Sequence, residues 1–192
     1  MTMPPNIGVL ALQGDVREHR VALGRLGISY RPVRLPEDLE EIEGLVIPGG
    51  ESTTIGRLAE RFGLLHPLRA ALADGLPTLA TCAGMILVAG SIVEGDQPLL
   101  GGLDVVVRRN AFGRQNESFE MDLDVKGLDR PFHGVFIRAP WVEKVGSDVE
   151  VLARVGDRPV MVSSGRIVAL SFHPELTDDS RIHRLWMEGG GS

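Results

Sequence analysis

The sequence predicts an α/β fold, an open, doubly wound, mostly parallel sheet flanked by helices, with antiparallel additions in the C-terminal half. The first half of the chain alternates short apolar runs with amphipathic segments, as expected when helices join parallel strands. The apolar runs are continuous, which indicates strands buried on both faces. In the second half, shorter β-prone segments follow one another between Gly, Asp and Pro residues.

The first half supplies the predicted central strands and their helices. Residues 7–12 form the first strand, and Asp15 is expected to cap a helix that Gly27 ends. Residues 28–33 form the second strand. The remaining predicted elements are a turn or short helix at 35–39, a strand at 44–48, a helix capped by Ser52 or Thr53, helical residues 64–72, a strand at 76–81 and a helix from Met85.

The second half is expected to extend the sheet and to add a second small sheet. Its β-prone segments are 103–107, 119–125, 135–138, 149–155, 160–162 and 167–172. Residues 181–187 indicate a closing helix, and 189–192 a flexible tail. No linker divides the halves, so residues 1–192 are predicted to be one domain.

Composition excludes several classes of function. The formal charge of −6 and the lack of a dense Lys/Arg cluster disfavour nucleic acid and anionic membranes as partners. We find neither an apolar run long enough to span a membrane nor a signal peptide, and a single cysteine fits a reducing compartment. A cytoplasmic protein is therefore expected.

The single cysteine lies where a predicted strand ends. Cys82 follows the apolar run 76–81 and precedes Ala83 and Gly84. A reactive side chain on a tight strand-to-helix turn with small neighbours is typical of a nucleophile elbow. Taken alone, the pattern also fits an inert buried thiol.

His173 is the best candidate for the base that would activate Cys82. It follows the predicted strand 167–172 and precedes Pro174 and Glu175. In an extended chain, residues two apart project to the same side, so Glu175 can orient the imidazole. The other histidines are not expected to be catalytic. We predict a surface position for His19, His66 and His183 and a turn for His133.

A second turn at a strand end carries Gly49 and Gly50. Backbone N–H groups at such a corner can bind an oxyanion or a carboxylate. The alternative is a plain strand-to-helix turn. Because carboxyl ends of parallel strands meet at one edge, this turn and Cys82 are expected to lie together.

These motifs resemble the class I (triad) glutamine amidotransferases, which have a flavodoxin-like fold. The likeness rests on Thr-Cys-Ala-Gly around Cys82, on His173-Pro174-Glu175 and on residues 48–52. A closer resemblance, to the glutaminase subunits of pyridoxal 5′-phosphate synthase, spans nearly the whole chain. Its motifs are Val9-Leu10-Ala11-Leu12-Gln13-Gly14, Arg17-Glu18-His19, Gly50-Glu51-Ser52-Thr53-Thr54, residues 109–115, Phe136-Ile137-Arg138-Ala139-Pro140 and residues 172–177.

The resemblance implies hydrolysis of L-glutamine to L-glutamate and ammonia by a Cys82–His173–Glu175 triad through a thioester. Neither a cofactor nor a metal is implied. By family match, the substrate-binding residues are Gly49, Gly50, Glu51, Arg109, Ile137 and Arg138, and the backbone of Gly49, Gly50 and Ala83 forms the oxyanion hole. Without the family, Arg138 could equally be a buried ion-pair partner.

The resemblance also implies a partner, a (β/α)₈ synthase subunit that takes up the ammonia to make pyridoxal 5′-phosphate. The glutaminase is expected to be largely silent until this partner docks, and Gln13-Gly14 and Gly49-Gly50 are the elements most sensitive to docking.

One position departs from the family pattern. Ala80 stands where the family elbow usually has Gly, and crowding there is one expected consequence. Three alternatives stay open: the glutaminase subunit of another amidotransferase, a DJ-1-like cysteine hydrolase, and a non-catalytic regulatory subunit.

Overall fold

The computed structural model describes residues 5–112 and 118–189. Its strands are β1 Ile7–Leu10, β2 Tyr30–Val33, β3 Gly44–Ile47, β4 Thr78–Thr81, β5 Ala89–Ile92, β6 Leu103–Arg108, β7 Ser118–Leu123, β8 Phe132–Ile137, β9 Trp141–Val145, β10 Glu150–Val155, β11 Arg158–Ser164 and β12 Ile167–Leu170. Its α-helices are α1 Val16–Arg25, α2 Ser52–Arg61, α3 Leu65–Ala73, α4 Ala83–Val88 and α5 Arg181–Met187, and short 3-10 helices cover Pro36–Leu39 and Pro174–Leu176. Part of the motif at 109–115, and residues 190–192 of the expected tail, lie outside the described residues.

A seven-stranded sheet in the order β10-β11-β12-β4-β3-β1-β2 organises the fold. The strands from β12 to β2 pair in parallel, whereas β11 and β10 are antiparallel additions. The predicted fold class is therefore confirmed. The strand order reverses between β1 and β3, and ligands of such sheets bind beyond the carboxyl ends of the strands at this reversal.

Two smaller sheets accompany the large one, where the sequence indicated one. They are β5-β6-β9 and the hairpin β7-β8. The sequence analysis missed β5 and β9.

It also placed His133 in a turn, but this residue lies in β8, where exposed carboxylates of Glu120 and Asp122 on β7 contact its two ring nitrogens.

The central strands are buried on both faces, as the continuous apolar runs predict. Leu45 and Ile47 of β3 belong to the core cluster that contains residues of α2, α3 and α4, while Val46 belongs to the cluster with residues of α1 and α5. Since alternate residues of one strand enter different clusters, helices cover both faces of the sheet. No α-helix in the described ranges has the length and apolar character needed to cross a membrane.

The helix caps differ from the predictions at two positions. Asp15 precedes α1 but makes no side-chain cap. Helix α2 is capped by Glu51, whose carboxylate accepts hydrogen bonds from the backbone N–H groups of Thr53 and Thr54, so neither Ser52 nor Thr53 is the cap. Sequence preference identified the right turns, but at α2 the Glu51 carboxylate takes the N–H groups, and at α1 the Asp15 carboxylate faces His173 instead of its own helix.

Ala80 fits its position without distortion. It pairs with Ala169 of β12 and Ile47 of β3, and its side chain is fully buried in the core. Its φ lies outside the left-handed region that would favour glycine. Gly84, three residues past the strand, is the position that tolerates no side chain, because a Cβ there would overlap the carbonyl oxygen of Ile47.

We therefore expect Ala80→Gly to destabilise the protein by about 1 to 2 kcal/mol, through loss of a buried methyl group and a gain in unfolded-state freedom. Gly84→Ala should cost more, roughly 3 kcal/mol, since backbone must move. Urea denaturation of both variants and the parent chain measures these changes. A stabilised Ala80→Gly variant would show instead that the methyl group crowds the strand.

Candidate active site

Cys82 occupies a strained turn between β4 and α4. Its backbone has φ 48° and ψ −101°, an unusual conformation for a residue other than glycine. The Cys82 N–H donates to the carbonyl of Leu170 over 2.7 Å, which holds the turn against β12. The side chain is nearly buried, and Sγ lies 3.8 Å from the carbonyl oxygen of Ile137. The sequence-predicted elbow is therefore present.

His173 and Glu175 form a buried pair just beyond β12. Nδ1 of His173 lies 2.7 Å from Oε1 of Glu175, and both side chains are almost inaccessible to solvent. Nε2 of His173 is buried and has no hydrogen-bond partner among the described residues. Glu175 lies in a 3-10 helix rather than in the extended chain that the sequence indicated, yet the carboxylate still meets the imidazole.

The surroundings of His173 favour its protonated form. Burial opposes the charge, but the carboxylates of Asp15 and Glu175 at Nδ1 and the nearby Cys82 outweigh this effect and raise the pKa of His173 well above its ordinary value. Burial raises the pKa of Glu175, and the hydrogen bond and charge of His173 act against it. A protonated imidazole in this position can act as a proton donor to a reacting group in the cleft.

Asp15 is a residue of this site that the sequence analysis assigned only to helix capping. Its Oδ2 lies 3.3 Å from Nδ1 of His173, so two carboxylates face the same ring nitrogen. Its position just beyond the strand-end pair Gln13-Gly14 was the signal that could have placed it here.

The turns after β1 and β3 are hydrogen-bonded to each other beside His173. The carbonyl oxygen of Gly49 accepts from the Asp15 N–H at 3.1 Å, and the Glu51 N–H donates to Oε1 of Gln13 at 2.8 Å. A Cβ at Gly49 would lie 2.5 Å from Cε1 of His173. The absence of a side chain at Gly49 is therefore required for this turn to reach the imidazole.

Glu51 and Arg109 place opposite charges at the rim. Nη2 of Arg109 lies 3.2 Å from Oε1 of Glu51, and Nη1 of Arg109 donates to Oγ1 of Thr53 at 3.3 Å. Partial burial opposes the ionisation of Glu51, but hydrogen bonds from Thr54 and Thr53 outweigh it and lower the Glu51 pKa to about 2. Glu51 is therefore an anion throughout the physiological range.

These groups surround a cleft of about 300 Å³. Of the sequence-predicted site residues, the cleft is lined by Gly50, Glu51, Cys82, Ala83, Arg109, Ile137, Arg138 and His173. Gly49 and Glu175 lie behind this lining, each next to His173. Arg138 is exposed, so the alternative of a buried ion-pair partner is wrong.

Backbone strain is concentrated in this cleft. Among the described residues, Cys82, Asn110 and Arg138 are the non-glycine residues with positive φ, at 48°, 44° and 44°, and all three line it. Unusual dihedrals persist where the surrounding structure holds them for function. The clustering therefore points to this cleft as the functional site.

One group among the described residues has the arrangement of a metal site. Asp15, His173 and Glu175 each offer a ligand atom, and these atoms lie within 4.8 Å of one another. The same Nδ1 and carboxylate oxygens already contact each other, so a metal would have to replace the His173–Glu175 hydrogen bond.

Two histidines that the sequence analysis placed on the surface are fully buried behind Glu175. They are His19 of α1 and His183 of α5, whereas His66 is exposed as predicted. The signal that could have found His19 is its spacing, since it follows Val16 by three residues and precedes Leu23 by four on the apolar face of α1.

Comparison with known proteins gives consistent results. The family model described as SNO glutamine amidotransferase matches residues 9–190. Pyridoxal 5′-phosphate synthase subunit PdxT of Parafrankia sp. (strain EAN1pec) is 65% identical over 187 residues, covering 96% of this chain and 92% of that protein. PdxT of Frankia alni is 62% identical, with coverages of 96% and 94%.

A solved structure supports the same relationship. A crystal structure of a glutamine amidotransferase superposes with a TM-score of 0.92 at 55% identity, covering 97% of this chain and 99% of that one. Sequence and structure therefore agree over almost the full length. The chain belongs to the SNO glutamine amidotransferase family.

Proposed function

We propose that this protein hydrolyses L-glutamine to L-glutamate and ammonia and supplies the ammonia to a synthase subunit that makes pyridoxal 5′-phosphate. The observation that carries the proposal is the strained Cys82 in the same cleft as the buried His173–Glu175 pair. The names of relatives at 62% and 65% identity support the pathway. One domain, residues 1–192, is proposed to do this, because both halves contribute to the cleft.

Cys82 is the proposed nucleophile. Its thiolate attacks the side-chain amide carbon of glutamine, and the imidazolium of His173 protonates the departing nitrogen, so ammonia leaves and a thioester remains. His173, now neutral, then takes a proton from water, and the water oxygen attacks the thioester. Glutamate is released, and the Cys82 thiolate and the His173 imidazolium are restored. Glu175 orients the ring through Nδ1 and stabilises its positive charge.

Backbone N–H groups are proposed to stabilise the oxyanion. Ala83 is the first residue of α4, so its N–H lacks an intrahelical acceptor. The Gly49-Gly50 turn, which follows the neighbouring strand β3 and lies next to His173, would supply the second donor.

The charged end of glutamine is proposed to bind at the rim. Glutamine carries an α-ammonium and an α-carboxylate. The carboxylate of Glu51 would bind the ammonium, and the guanidinium of Arg109 would bind the carboxylate. In the free protein these two side chains pair with each other, so substrate replaces one ion pair by two. Ile137 and Arg138 complete the proposed subsite.

The partner is proposed to act on the two linked turns. Gly49 is hydrogen-bonded to Asp15, and Gly14 packs directly against the Gly49 carbonyl. A displacement of residues 13–15 would therefore move the backbone of the proposed oxyanion hole. Such coupling would keep the glutaminase slow until the synthase subunit docks. A cytoplasmic location is proposed with it, because a reducing compartment keeps a free thiol nucleophile reduced.

Replacing the nucleophile should abolish turnover. In complex with the synthase subunit, Cys82→Ser is expected to release glutamate at least roughly a thousandfold more slowly than the parent chain. A glutamine-mimicking diazoketone should label Cys82, as read by peptide mass spectrometry. Labelling of a different residue, or unchanged turnover in Cys82→Ser, would contradict the proposed nucleophile.

The same assay separates the alternatives. A parent complex that releases no glutamate, yet hydrolyses a peptide or an aldehyde, would favour a DJ-1-like hydrolase. A complex with no hydrolysis at all, in which the chain still changes the synthase rate, would favour a regulatory subunit.

Removing the charge of Glu51 should weaken substrate binding more than chemistry. We expect Glu51→Gln to raise KM for glutamine by about tenfold or more, since an ion pair with the α-ammonium is lost. Glu60→Gln, on the exposed side of the same helix, is the matched control and should leave KM unchanged. A lowered kcat at unchanged KM would remove Glu51 from the binding subsite.

The stability of the Glu51 cap should depend on pH. Its folded-state pKa of about 2 lies below the ordinary value of 4.5, so the ionised cap stabilises the fold above pH 4.5. The Tm difference between the parent chain and Glu51→Gln should therefore shrink as pH falls from 4.5 toward 2. A difference that stays constant over this interval would argue that the charge of Glu51 plays no part in the cap.

Gating by the partner has a direct test. The isolated chain is expected to hydrolyse glutamine at least about tenfold more slowly than the complex with the synthase subunit. Steady-state glutamate release measures both rates. Equal rates would show that the site is complete without the partner.

A further inference from the structure

The second oxygen of the Glu175 carboxylate is the starting point. Oε1 is bonded to His173, whereas Oε2 is buried and has no hydrogen-bond partner of standard geometry among the described residues. Nε2 of His19 lies 3.5 Å from Oε2, and both side chains have no exposed surface. A buried carboxylate oxygen that is left without a donor costs free energy. The short distance between His19 and Oε2 of Glu175 therefore needs an explanation.

His19 belongs to a chain of buried polar groups. Its Nε2 also lies 3.1 Å from Oγ1 of Thr81, the last residue of β4 and the neighbour of Cys82. Its Nδ1 lies 3.1 Å from Nε2 of His183 on α5. Side chains from β4, α1 and α5 are thus connected by polar contacts next to Glu175.

Both histidines are neutral in this setting. Burial lowers the pKa of His19 well below its ordinary value, and repulsion from the protonated forms of His183 and His173 acts in the same direction. Burial lowers the pKa of His183 to about 4. Each ring therefore carries a single N–H, and the position of that hydrogen decides what the chain can donate.

The negative charge of Glu175 selects the tautomer. With its hydrogen on Nε2, His19 directs a donor at Oε2 of Glu175 and at Thr81. With its hydrogen on Nδ1, His19 would direct a lone pair at the carboxylate 3.5 Å away. The first arrangement requires His183 to donate from Nε2 to Nδ1 of His19, and it leaves only an acceptor of His183, Nδ1, without a partner.

We propose that His19 is a positioning residue for the reaction, which donates from Nε2 to the second oxygen of Glu175, and that His183 fixes the tautomer of His19. This inference rests on the proposed role of Glu175 in glutamine hydrolysis. The donor keeps the Glu175 carboxylate ionised and turned toward His173. It also explains why helix α1 carries a fully buried histidine.

Variants of His19 in the complex with the synthase subunit test this role. His19→Leu should lower kcat for glutamine hydrolysis by roughly 10- to 100-fold at unchanged KM, the size expected for one lost hydrogen bond to an ionised group. His19→Gln, whose amide nitrogen lies near the position of Nε2, should recover most of this loss. His66→Leu, at an exposed histidine, is the control and should leave kcat unchanged.

His183 provides the second arm. His183→Leu should lower kcat less than His19→Leu, about 3- to 10-fold, because His19 remains but its tautomer is no longer fixed. The double variant should lose little more than His19→Leu alone, since both substitutions remove the same donor. Additive losses, or a His19→Gln variant as slow as His19→Leu with an equal Tm, would overturn the proposal.

A measurement on the unmodified chain does not depend on activity. Nitrogen-15 NMR of the imidazoles should show both His19 and His183 neutral, with hydrogen on Nε2. Hydrogen on Nδ1 of His19 would overturn the inference even if the protein is a glutaminase. Conversely, if the parent complex releases no glutamate while the tautomers are as expected, the proposed function fails and the hydrogen-bonded arrangement stands.

Discussion

The burial of a carboxylate at Glu175 is the constraint on which much of the structure depends. A carboxylate taken out of water must be met by charge and hydrogen bonds, or it takes up a proton. Here the groups around it come from distant parts of the chain: His173 follows β12 and contacts the carboxylate directly, His19 on α1 lies 3.5 Å from it, and His183 on α5 contacts His19. The packing of two helices against the sheet is thereby tied to the ionisation state of one side chain.

The sheet brings the reacting groups together for a different reason. Parallel strands end at the same edge, so the turns after β1, β3, β4 and β12 meet without long loops. Their approach is close enough to exclude side chains at Gly49 and Gly84, where a Cβ would meet His173 or the Ile47 carbonyl. The strained backbone of Cys82 is held against β12 by its N–H, which donates to the carbonyl of Leu170.

Local sequence patterns predicted the sheet and the proposed catalytic residues because both depend on short-range features. Apolar runs that end in small residues identify strand ends, and those ends carry Cys82, His173 and Gly49-Gly50. Patterns failed where a side chain serves a distant partner. Asp15 was assigned to its own helix but faces His173, and His19 was assigned to the surface because charged residues flank it.

At the rim of the cleft, too, a carboxylate is held in place by groups from other parts of the structure. Glu51 is held by the N-terminus of α2 through Thr53 and Thr54, and it also pairs with Arg109. The helix cap fixes the carboxylate in place, while the ion pair with a partly exposed arginine is weak and exchangeable. In the proposed subsite, a glutamine ammonium would therefore displace Arg109 without disturbing the cap, and the freed guanidinium would become available to the substrate carboxylate. Preorganisation by the helix and exchange of the ion pair together suit Glu51 to the proposed binding role as well as to its role as a cap.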